Sequence, residues 1–121
     1  RGARGEGVGA AVSGLQGYSK FGNRRSESRD GHTFASKRER DRYEELAIME
    51  AAGVIKALKR QVRHPLIVKG VKVGIYVSDF TYRERAAGPL IVEDVKGPRT
   101  QLYLLKKRLM LALYRVEVLE T

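Results

Sequence analysis

The chain has 121 residues, room for one domain with a modest core. It has no cysteine, which excludes disulfides and thiolate metal sites. Lysine and arginine number 24 against 14 acids, a net charge of +10 that suits a polyanionic partner, nucleic acid before an anionic membrane surface.

Residues 1–22 are rich in glycine and arginine and poor in large apolar side chains, the composition of a flexible arm. Leu15, Tyr18 and Phe21 are its candidate anchors, to the body or to a second subunit. A single domain is expected from residue 23 to 121. Asp30-Gly31 is a tight-turn signal, with a small hairpin through His32-Thr33-Phe34. Ser36-Lys37-Arg38-Glu39 fits a capping box, so a helix is expected from about 37 to 52, with Gly53 as its stop. On periodicity alone Glu39 completes that cap. Beyond Gly53 the chain turns to strand: Ile55, Leu58, Val62 and Leu66-Ile67-Val68, a turn at Gly70, then Val71-Lys72-Val73 and the β-branched run around Asp79. After the loop at 83–88, Leu90-Ile91-Val92 leads a short buried strand into Glu93-Asp94-Val95-Lys96. Thr100 is a helix N-cap, and Leu102, Leu105, Leu109, Ala112 and Leu113 form an apolar stripe expected to face the core. Tyr103, Lys106, Lys107 and Met110 lie off that stripe. Arg115-Val116-Glu117-Val118-Leu119 alternates as a final strand. No run is long and apolar enough to span a bilayer and no signal peptide is visible, so no membrane partner and a cytoplasmic setting are expected.

Charge is unevenly spread. Between residues 51 and 78 there are six cations and no acid, and between 96 and 115 six more and no acid. Within this positive half stand Asp79 and Asp94. Strands joined by a short loop usually pair, which brings these two acids together. Side chains two apart share a strand face, so Asp94 points with Lys96 and Glu93 points away. Two carboxylates beside a lysine supply what Mg²⁺ (or Mn²⁺) needs: hard oxygen ligands with positions open for water and phosphate.

The order helix, three strands, helix, strand, with Asp79 and then Asp94-Val95-Lys96, resembles the PDDEXK nuclease superfamily. Ser36-Lys37-Arg38-Glu39 through Tyr43, then Gln61, Ser78-Asp79-Phe80 and Glu93-Asp94-Val95-Lys96-Gly97, resemble small phage-encoded endonucleases and are similar to archaeal-type and phage Holliday junction resolvases. The resemblance runs from about Phe21 to Leu119. It implies an α/β restriction-endonuclease-like core, a mixed sheet flanked by helices. It makes Glu39 a third metal ligand and Gln61 a polar neighbour of the site, and for a phage-encoded protein it places the work in the host cytoplasm.

What the resemblance implies for mechanism is metal-dependent phosphodiester hydrolysis. Asp79, Asp94 and Glu39, with the Val95 carbonyl, would hold the metal. Lys96 would orient the attacking water or meet charge developing on phosphorus, and the products would carry a 3′-hydroxyl and a 5′-phosphate. Arg24, Arg25, Lys37, Gln61, Tyr103, Lys106 and Lys107 are the expected DNA contacts. His32 and His64 are not expected to act as catalysts. Resolving a four-way junction takes two symmetric nicks, so branched DNA and a two-fold homodimer are the expected partners. Three other readings are another nicking or flap nuclease on the same fold, a non-catalytic nucleic-acid-binding protein, and a basic ribosome-associated protein.

Overall fold

A computed structural model describes residues 26–95 and 97–121. The expected arm at 1–22, and the site residues Arg24, Arg25 and Lys96, lie outside the described residues. The chain forms two compact units, one up to Glu44 and one from Glu45 onward, the division falling within the first helix.

In the first unit, β1 (Ser26–Glu27) and β2 (Thr33–Phe34) pair antiparallel, with Ser26 opposite Phe34. Asp30 organises the turn between them. It accepts hydrogen bonds from the Ser28 hydroxyl and from Tyr43 Oη at 2.5 Å, and its Oδ1 lies 2.8 Å from His32 Nδ1. Those hydrogen bonds, the Ser28 one foremost, hold its carboxyl well below the usual carboxylate range. Gly31 supplies the positive φ of 92° that the turn requires. The Phe34 and Tyr43 rings meet at 5.1 Å.

Helix α1 (Lys37–Ala51) begins as its sequence dictates: Ser36 Oγ accepts the Glu39 N–H at 3.2 Å. It ends at Gly53, φ 80°, where the Val54 N–H reaches back to the Met49 carbonyl at 2.8 Å.

The second unit is built on a four-stranded mixed sheet in the order β3-β4-β5-β6. Strands β3 (Lys56–Val68) and β4 (Val71–Arg83) form a long antiparallel hairpin, β5 (Ile91–Asp94) pairs antiparallel with β4, and β6 (Leu119–Glu120) pairs parallel with β5. Helix α2 (Gln101–Tyr114) supplies the crossover between the parallel pair. Thr100 caps it as expected, accepting the Tyr103 N–H at 3.1 Å. Leu66, Tyr76, Val92, Met110 and Val118 form the core, with Tyr103, Leu109 and Val116 packed against it. Burying side chains of this size contributes roughly 2 kcal/mol each. No helix among the described residues is long and apolar enough to cross a membrane.

Two expectations change. The face that α2 turns inward carries Tyr103 and Met110, while Leu102 (59 % exposed) and Leu105 (53 %) point outward. The helix carries leucines on nearly every side, so periodicity offered more than one apolar face. The final strand is also shorter and later than the alternation from Arg115 suggested. Arg115 is the left-handed C-cap of α2, φ 57°, and only Leu119 and Glu120 join the sheet, opposite Glu93 and Asp94.

Candidate active site

Asp79 and Asp94 meet where β4 and β5 stop pairing. The ladder runs Tyr82↔Ile91, Thr81↔Val92 and Phe80↔Glu93, which leaves Asp79 and Asp94 as the next two residues to face each other. They are tied reciprocally. The Asp79 N–H donates to Asp94 Oδ1 at 3.2 Å, and the Val95 N–H donates to Asp79 Oδ2 at 2.8 Å. Gln61 Nε2 lies 3.4 Å from Asp79 Oδ1, and the Tyr76 hydroxyl donates to Asp94 Oδ2.

This arrangement is electrostatically costly without a cation. Burial pushes the Asp94 carboxyl up to about 7, and the neighbouring Asp79 charge adds to the rise against the opposing Tyr76 hydrogen bond. Tyr76 is itself buried, and burial together with the Asp94 contact drives its hydroxyl far above the ordinary tyrosine value, so it remains a donor. His64 stacks on the Tyr76 ring at 5.7 Å and lies 2.9 Å from Ser78 Oγ. Burial lowers its pKa, which favours the neutral imidazole.

Gln61 is placed by an irregular backbone. The β3–β4 ladder pairs Arg60 with Phe80 and Val62 with Ser78, and Gln61 between them is left-handed at φ 51°. A non-glycine residue held there costs about 1 kcal/mol or more, and such strain clusters at functional sites.

Glu93 goes elsewhere, as strand alternation requires. It is fully buried, accepting hydrogen bonds from Tyr82 Oη at 2.6 Å and Thr121 Oγ1 at 3.0 Å. Glu39, in the first unit, is 8 % exposed, and its N–H donates to Ser36 Oγ, the serine's half of the capping box. Among the described residues no group of three or more His, Asp or Glu side chains gathers; Asp79 and Asp94 are a pair.

Beside the pair lies a cleft of about 120 Å³ lined by Asp94, Val95, Arg99, Tyr103 and Glu120 among others. Glu120 gathers three groups at its edge: Tyr103 Oη donates to it at 2.7 Å, Lys107 Nζ lies at 3.3 Å, and the Arg99 guanidinium also bonds it. The Tyr103 hydrogen bond, with the two cations, lowers the Glu120 pKa. Of the expected DNA contacts, then, Tyr103 and Lys107 are engaged internally, and Lys106 is half-buried. An α2 face that packs inward through Tyr103 cannot also present it to a phosphate. Lys37 and Gln61 are exposed.

Sequence reasoning missed Tyr76 and Glu120. Tyr76 looked like any aromatic in a strand, and Glu120 lay just past an alternating run, with nothing local to mark either.

A family model described as "Protein of unknown function (DUF1064)" matches residues 18–120. No curated protein and no solved structure matches the chain.

Proposed function

The chain belongs to the DUF1064 family, whose description assigns no activity, and from the chemistry of its own site we propose that it is a metal-dependent DNA endonuclease of the PDDEXK kind, acting on branched DNA as a Holliday junction resolvase does. The observation that carries this reading is the reciprocal tie of Asp79, inside β4, and Asp94, the last residue of β5, with Lys96 two residues on in sequence.

The donor set fits a magnesium ion. Mg²⁺ takes one or two carboxylates from a protein and keeps waters for the rest. Asp79 and Asp94 are two such carboxylates, half-buried, with the Asp94 pKa raised first by burial and then by the neighbouring Asp79 charge. Asp79 and Asp94 would hold the ion, and the resemblance adds Glu39 and the Val95 carbonyl. A divalent cation bound there supplies a Lewis acid for the phosphate and for the attacking water.

The chain's own residues do the rest. Tyr76 and the Asp79 N–H fix the Asp94 carboxylate, while Gln61 and the Val95 N–H fix Asp79, so neither acid must reorganise to receive charge. Lys96 meets the negative charge that develops on phosphorus. A four-way junction needs paired nicks, so this reading takes a two-fold dimer, and the outward leucines of α2, Leu102 and Leu105, leave apolar surface for one.

One observation favours a second reading. All four oxygens of Asp79 and Asp94 already accept a hydrogen bond from the protein, as in a purely structural pair on a nucleic-acid-binding protein. Nicking of supercoiled plasmid with and without Mg²⁺ separates the two: metal-dependent nicks are expected, and their absence would leave the binding protein. Comparing cleavage of a four-way junction, a flap and linear duplex then tests the substrate.

A further inference from the structure

We infer that the β3–β4 hairpin is the arm that grips duplex DNA, its turn entering a groove while its cations take the flanking phosphates. This rests on the endonuclease reading and names the surface by which that enzyme would hold its substrate.

Two groups of cations among the described residues contrast. Arg99 and Lys107, beside the cleft, share the Glu120 carboxylate. Lys59 and Arg63 on β3 and Lys69 and Lys72 at the turn are exposed, and none forms an ion pair with any described residue. The sequence from 51 to 78 contains no acid that could neutralise them. This surface is therefore free to attract a polyanion.

The shape matches. Leu66 is buried in the core and lies 3.9 Å from where a side chain at Gly74 would begin. Beyond these two residues everything from 67 to 73 is exposed, including Ile67 (48 %), Val71 (62 %) and Val73 (56 %). The ladder shifts register between Leu66 and Ile67 and then closes as a tight hairpin. Ile67 pairs with Lys72 and Val68 with Val71, closed by Lys69 and Gly70 at φ 51° and 80°, the positive pair of a two-residue hairpin turn. A two-stranded ribbon is admitted by the major groove, about 12 Å wide, where apolar side chains meet thymine methyl groups. From Val71 to Asp79 the strand rises roughly 26 Å, at about 3.3 Å per residue. The tip would therefore touch the duplex within about eight base pairs of the scissile phosphate, at about 3.4 Å per pair. A second copy of the chain is the weaker occupant, because a two-fold contact would set these lysines against one another.

The test uses the full chain in EDTA, where no cleavage competes, titrated onto fluorescent linear duplex at several salt concentrations. The variants are Lys69→Glu with Lys72→Glu, and Lys69→Ala with Lys72→Ala. Both pairs should keep the parental melting temperature. Charge reversal should raise Kd tenfold or more, and the alanine pair should reduce the slope of log K against log salt by about two. Should the reversed pair fail to fold, the alanine slope decides. Parental Kd and slope in the variants, with the parent still binding DNA and nicking it, would overturn the arm and leave the nuclease. A parent that binds no duplex yet nicks plasmid with Mg²⁺ would overturn the arm and leave the nuclease, and a parent that does neither would overturn both. Variants that change the sedimentation coefficient while binding DNA normally would make the hairpin an interface between copies and overturn the arm.

Discussion

Asp30 and Asp94 each accept a tyrosine hydroxyl, from Tyr43 and Tyr76, and they end at opposite extremes. Asp30 sits in an open turn with its side chain 47 % exposed, and three donors hold its carboxyl well below the ordinary range. Asp94 is half-buried beside Asp79, and its carboxyl is pushed up to about 7. Hydrogen bonds alone do not distinguish a structural acid from one poised for chemistry. Burial and a like charge do.

The strongest way to break that contrast is to remove each carboxylate in turn. Asp94→Asn or Asp79→Asn should abolish metal-dependent cleavage while folding and DNA binding persist. Asp30→Asn should leave cleavage near normal and lower the melting temperature. Equal cleavage by Asp94→Asn and wild type would dissolve the distinction. Glu39→Gln comes next. A cap survives the change to an amide, whereas a metal ligand does not. Near-normal melting with little or no cleavage is expected, and a sample that melts and cuts normally would return Glu39 to its cap. Lys96→Ala should slow the single-turnover rate on the order of a hundredfold with DNA still bound; an unchanged rate would make Lys96 structural.

A smaller effect sharpens the comparison. Tyr76→Phe removes only the hydroxyl that fixes Asp94, and the Mg²⁺ concentration for half-maximal activity or half-maximal thermal stabilisation should rise about tenfold. No change in either would leave Tyr76 a packing residue.

The smallest effect is on pH, where the two acids should act in opposite senses. Asp94 has a folded pKa above its unfolded one, so without a cation it costs stability as pH climbs from about 4 through about 7. Asp30 has a depressed pKa, so its contribution is present above about 4 and is lost as pH falls below that value. Melting curves from pH 3 to 8 for wild type and Asp94→Asn check this. The variant should lack the neutral-side decline, and Mg²⁺ should stabilise wild type more at pH 8 than at pH 5. Superimposable profiles would remove the argument from burial.

What was legible in the sequence was local. Ser36 and Thr100 as caps, Gly53 as a stop and the turn at Gly70 depend on neighbours within a few residues, and each is where the sequence put it. The meeting of Asp79 and Asp94 was legible because adjacent strands pair. The inward face of α2 was not. Leu102, Leu104, Leu105, Leu109, Leu111 and Leu113 surround the helix, and the face turned inward meets partners distant in sequence: Met110 packs with Leu66, Tyr76 and Val92, and Tyr103 donates to Glu120 17 residues away. Tyr76 was invisible for the same reason: its role depends on Asp94, which lies 18 residues on.

The position of β3 at the margin of the sheet bears on solubility. One side of a 13-residue strand is left without a neighbouring strand among the described residues, a surface on which the edge of another molecule could dock and begin an aggregate. Lys56, Lys59 and Arg63 project from it and discourage that pairing by mutual repulsion. Truncating these side chains to neutral ones would expose the edge to its own kind, whereas replacing them with acids would keep it charged and dispersed.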